Sequence, residues 1–90
     1  MPRYGGVRPR EFRNLLLRMG FVETARNDHW RYRHFGLGLR TFVSFGNKEL
    51  DAAFMGKIIA DQLRMTVDEF REAMNGNTPE RFTNPEFWSN

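Results

Sequence analysis

An α+β fold is predicted for this chain: one helix, three antiparallel strands, then two further helices, with the sheet covered on one side only. Three observations carry that prediction. Phe12, Leu15, Leu16 and Met19 recur at i, i+3, i+4 and i+7, which gathers them on one face of a helix. Three short segments between residues 21 and 45 are rich in aromatic and β-branched side chains and are divided by turn formers. Thr66 and Glu69 then have the spacing of a capping box, in which each side chain reaches the other's backbone N–H.

Taken in order, residues 1–8 hold Pro2 and the Gly5-Gly6 pair and read as a flexible lead-in. Pro9 suits the first position of a helix, where its missing N–H would be unpaired anyway. Gly20 stops that helix, and Phe21 is placed to fold back on its last turn. Phe21 to Arg26 forms the first strand, ended by Asn27-Asp28. His29 to Phe35 forms the second, and Gly36-Leu37-Gly38 a hairpin loop leading into Leu39 to Phe45. Asp51 caps a second helix running to about Arg64, with Met55, Ile58, Ile59 and Gln62 along one stripe, widened by Phe54 and Leu63. The capping box opens a third helix that ends near Gly76. In the tail, residues 77–90, Thr78 and Asn84 precede Pro79 and Pro85 as caps for single helical turns. Its Phe82, Phe87 and Trp88 need a surface to pack on, either this domain or a partner. The organisation is therefore a lead-in (1–8), one domain (9–76) and a C-terminal tail (77–90).

Composition narrows the function. The 90 residues suit one small domain, and 40% hydrophobic content suits one modest core. With no cysteine there is no disulfide scaffold, thiol nucleophile or cysteine-based zinc site, and two histidines do not make a dense metal cage. No apolar run approaches a membrane span, and the arginine-rich start lacks a signal-peptide core, so a cytoplasmic protein without metal or small-molecule cofactor is expected. Charge is lopsided: residues 1–48 carry ten cations against three acids, a net +7, while residues 49–90 carry four against eight, a net −4. Twelve of the fourteen cations are Arg, whose planar fork suits phosphate oxygens. The basic half points to nucleic acid as partner.

Alternation along the second strand sets His29, Arg31 and Arg33 on one side and Trp30, Tyr32 and His34 on the other. The Trp30/Tyr32 side makes the better core face, so His29 turns outward beside two guanidiniums. That combination suits phosphodiester chemistry, since imidazole moves a proton near neutral pH and arginine stabilises charge growing on phosphorus. The plainer alternative is a surface histidine on a polar strand. His34 packs or hydrogen-bonds near the hairpin, and Asp28 either orients the His29 ring or serves the turn. Arg10, Asn14 and Arg18, with Arg13 beside them, form a helix stripe that either tracks an RNA backbone or is simply solvated. Gly46-Asn47-Lys48 leads into the second helix, where a phosphate would be favoured. Met55, Met65 and Met74 fill core.

With these residues laid out, the segment 9–74 resembles the HicA family of toxins from toxin–antitoxin pairs. The likeness rests on Arg10-Glu11-Phe12 to Leu16, Met19-Gly20-Phe21, Asp28-His29-Trp30-Arg31-Tyr32-Arg33-His34, Thr41 to Leu50, and Val67-Asp68-Glu69-Phe70. It implies a double-stranded-RNA-binding-domain-like fold, metal-independent cleavage of mRNA, and a HicB-type antitoxin as partner. It also implies that His29 is catalytic, standing where the family has the histidine of Gly-Ser-His, with Asn27-Asp28 in place of Gly-Ser. Arg31 and Arg33 would then bind phosphate, with Arg10, Arg13 and Lys48 as further substrate contacts. A non-catalytic RNA-binding module and a protein-interaction domain are the competing readings.

Overall fold

A computed structural model describes residues 7–46 and 48–88. The order is α1 (Pro9–Arg18), β1 (Val22–Arg26), β2 (His29–His34), β3 (Leu39–Ser44), α2 (Ala52–Lys57) and α3 (Val67–Met74), followed by single 3₁₀ turns at Glu80–Phe82 and Pro85–Phe87. The three strands form an antiparallel sheet in sequence order. The chain is thus α+β, with the predicted α-β-β-β-α layout and a further short helix.

Local chemistry explains the boundaries. Glu11 Oε1 accepts the Arg8 N–H at 3.0 Å and so satisfies one donor at the start of α1. At its end, Phe21 N–H reaches the Leu16 carbonyl at 2.9 Å and Gly20 N–H reaches Leu17 at 3.1 Å. This pair of bonds needs a left-handed residue, and Gly20 has φ +91°. Phe21 is thereby drawn into the helix stop, so β1 begins one residue later than expected. The capping box on α3 forms as predicted: Thr66 Oγ1 accepts from Glu69 N–H and Glu69 Oε1 accepts from Thr66 N–H, both at 3.1 Å. A β-bulge between Glu23 and Ala25 interrupts the β1–β2 pairing.

The core lies between the inner face of the sheet and the helices. Phe12, Leu15, Leu16 and Met19 of α1 meet Tyr32 and Val43 of the sheet and Met55, Ile58, Ile59, Leu63 and Phe70 beyond. Met65 is buried and Met74 partly so, as core filler should be.

Two expectations need correction. The second helix is not α-helical to Arg64: after Lys57 it widens into a π-helical stretch, Ile58–Gln62, in which Leu63 N–H bonds to Ile58 C=O at 2.9 Å. The wider turn lets Ile58, Ile59 and Leu63 all enter the core. Arg64, at φ 57°, then reverses the chain so that Met65 N–H reaches the Ile59 carbonyl. The lead-in is anchored at its end, because Val7 is buried and its carbonyl accepts the Leu50 N–H at 2.8 Å; residues 1–6 lie outside the described residues.

The tail docks on the domain, one of the two surfaces expected for its aromatic residues. Phe82 is fully buried against Phe21 and His34. His34 Nε2 lies 2.7 Å from the Phe82 carbonyl, and its Nδ1 accepts the Leu37 N–H at 3.0 Å, so the proton sits on Nε2. Trp88 stacks edge-on against His34, donates to the Arg81 carbonyl at 2.8 Å, and fills the space over Gly36, where a Cβ would lie 2.2 Å from its ring.

Arg81 adds a fork on Glu69, at 2.8 and 2.9 Å, which holds that carboxyl below the usual range. A carboxyl depressed in the folded state stabilises it above the unfolded value and loses that effect as pH falls through the folded one. Urea melts of wild type should therefore weaken from about pH 5 downward more steeply than those of Glu69→Gln. The difference should stay under ~1 kcal/mol, since both side chains are about a third exposed. Parallel acid limbs would show that the fork does not couple to folding.

Candidate nucleic-acid interface

The open face of the sheet is built by strand alternation and register. Tyr32 and Val43 point into the core, so their neighbours His29, Arg31 and Arg33 on β2, and Arg40, Phe42 and Ser44 on β3, point the other way. Register sets Arg40 across from Arg33, Phe42 across from Arg31, and Ser44 across from His29. Arg31, Arg33 and Arg40 share a shallow recess of about 250 Å³ with Thr24. Among the described residues, ion pairs join Arg13 and Arg26 to Glu23, Arg71 to Asp68 and Arg81 to Glu69. None includes Arg31, Arg33 or Arg40. Three uncompensated guanidiniums on one face make a site for anions.

His29 sits at the end of this face, about 7 Å along the strand from Arg31. Its ring is half-buried rather than fully displayed, because Phe42 covers it edge-on at a centroid distance of 4.9 Å. Nδ1 is sealed from solvent and has no hydrogen-bond partner among the described residues, which leaves Nε2 to meet a substrate. Asp28 is exposed and does not hold the ring; Asn27 N–H closes the turn onto the His29 carbonyl at 3.2 Å.

The other expected contacts separate. Arg13 is committed to the interior side: its Nε donates to the Tyr32 hydroxyl at 2.8 Å, Nη2 reaches Glu23 at 3.3 Å, and the guanidinium lies 4.0 Å over Trp30. Burial pushes the Tyr32 phenol up, while hydrogen bonds from Arg26 hold Glu23 down. Arg13 therefore ties α1 to the sheet, with about a quarter of its side chain still exposed. Arg18 likewise donates to the Ala73 carbonyl at 3.2 Å. Arg10 is exposed beside a cleft of about 350 Å³ with Arg8, Pro9, Glu11 and Gly46. Lys48 lines a neighbouring cleft of about 400 Å³. Asn47 lies outside the described residues.

His34 is buried and structural, as its place at the hairpin suggested. Arg40 is the residue the sequence reading missed. Folding the chain about Gly36-Leu37-Gly38 would have placed it opposite Arg33. No group of three or more metal-ligating side chains occurs among the described residues, and no helix among them is long and apolar enough to cross a membrane. No family model, curated protein or solved structure matches this chain.

Proposed function

We propose that this protein is a HicA-like ribonuclease acting on mRNA, hence in the cytoplasm, and held in check by a HicB-like antitoxin. The observation that carries the reading is the placing, on one open face, of a half-buried histidine whose Nδ1 is sealed and whose Nε2 is not, with three arginines that have no acidic partner among the described residues. Arg31, Arg33 and Arg40 hold the backbone phosphates. The ribose 2′-oxygen attacks phosphorus, the P–O5′ bond breaks, and a cyclic phosphate is left on the upstream product. His29 either takes the 2′ proton or supplies one to the leaving 5′-oxygen. An antitoxin seated on this face would exclude RNA by shape and by charge together.

With the 2′-hydroxyl as nucleophile, cleavage of single-stranded RNA should persist in EDTA and spare an all-deoxy strand. Loss of cleavage in EDTA, or equal cutting of DNA, would overturn the mechanism. Arg31→Ala should make the salt dependence of RNA binding shallower by about 0.7–0.9 in log–log slope, the share of one phosphate. An unchanged slope would remove Arg31 from the interface. A non-catalytic RNA-binding module is favoured by one observation, that no group among the described residues orients His29 through Nδ1. Binding without cleavage would select it.

A further inference from the structure

The cleft of about 400 Å³ that Lys48 lines is separate from the arginine recess, and its walls are of a different kind. Pro9, Phe45, Leu50 and Phe54 make it largely apolar, with Ser44 and Lys48 at its rim. Two of its aromatic rings remain open to solvent, Phe45 at 45% and Phe54 at 37%. Phe35 and Phe87 are more exposed still, but only Phe45 and Phe54 share this cleft.

The cleft adjoins the strand pair that carries His29. Ser44 is the cross-strand partner of His29. The His29 ring lies against Phe42, and Phe42 lies against Phe54 at 5.8 Å, edge to face in both cases. The cleft therefore adjoins the open face at the His29–Ser44 end of the sheet, with Pro9 and Phe45 entering it from the core side. Arg8 and Arg10 border the adjoining cleft, with Pro9 and Gly46 lining both. Of the nearby carboxylates, Glu11 and Asp51 are turned back to cap helices, leaving Glu49 as an acceptor for base N–H groups.

We infer that this cleft takes one unpaired nucleobase, stacked on Phe54, next to the phosphate presented to His29. The inference rests on the RNA reading above and sharpens it: the substrate is single-stranded RNA with a base splayed out, because a paired base keeps its faces inside the helix stack. Phosphate contacts fix the strand; the pocket selects its unpaired state.

The test uses 2′-O-methylated RNA, which keeps every base and phosphate but withholds the nucleophile. A short strand carrying 2-aminopurine at each position in turn is titrated with the protein. Wild type should quench one position strongly, and the same strand annealed to its complement should bind at least about tenfold more weakly. Phe54→Ala should abolish that quench and weaken binding about tenfold, and Phe54→Trp should restore both. An abasic nucleotide at the quenched position should reproduce the Phe54→Ala loss with unaltered protein. If Phe54→Ala and the abasic strand behave as wild type, or the duplex binds equally well, the pocket is wrong and the ribonuclease reading stands. If wild type binds no RNA at all, both fall.

Discussion

His29→Ala should lower the RNA cleavage rate by about 10²–10⁴-fold while leaving RNA affinity within a few-fold of wild type. The asymmetry follows from the separation of roles on the open face. On the proposed reading phosphate is held by Arg31, Arg33 and Arg40, which share a recess that His29 does not line. The variant should stay folded, because the ring is only half-buried and its main contact is one edge-to-face approach to Phe42. Such a contact contributes about 0.5–1.5 kcal/mol. Single-turnover cleavage, read with a thermal melt and a binding isotherm, separates the three quantities. In cells, the wild-type chain should arrest growth and the variant should not. A variant that cleaves at the wild-type rate would move the chemistry away from His29.

Phe82→Ala should destabilise the whole domain by about 3–5 kcal/mol, although the residue lies in a C-terminal tail. The ring is completely buried, packed on Phe21 and His34, and the carbonyl of the same residue holds the His34 Nε2–H. Removing it opens a cavity that His34 and Gly20 cannot collapse into: His34 is tied at both nitrogens, and Gly20 already closes α1. A domain of this size has about 5–15 kcal/mol in total, so the loss should lower Tm by about 15–30 °C. Trp88 should report the same event, its fluorescence shifting to the red as the ring leaves Gly36. A loss below about 1 kcal/mol would mean that residues 80–88 merely rest on the surface.

These two residues also show what could be read from the chain alone. His29 was legible because strand alternation is a local pattern: once Trp30 and Tyr32 are assigned to the core, the outward face follows. The stop at Gly20 and the capping box at Thr66 and Glu69 were legible for the same reason, since their partners lie within five residues. The position of Phe82 was not, because its partner His34 is 48 residues away and nothing nearby distinguishes it from Phe87, which is exposed. The internal partners of Arg13 were not legible either, because a guanidinium on a helix gives no sign of the tyrosine, glutamate and tryptophan that meet it across the fold. The π-helical stretch escaped because Gln62 completes an α-helical stripe as well as Leu63 completes the observed one. The base cleft is assembled from three separated segments, and no periodicity announces it.

The bulge at Thr24 bears on self-association. β1 lies at the margin of the sheet, where unpaired backbone groups invite a strand from another molecule. The extra residue breaks the regular spacing that an incoming strand would have to match, and the Glu23–Arg26 ion pair places charge beside it. The bulge thus discourages pairing at one margin of the sheet, while β3 forms the other.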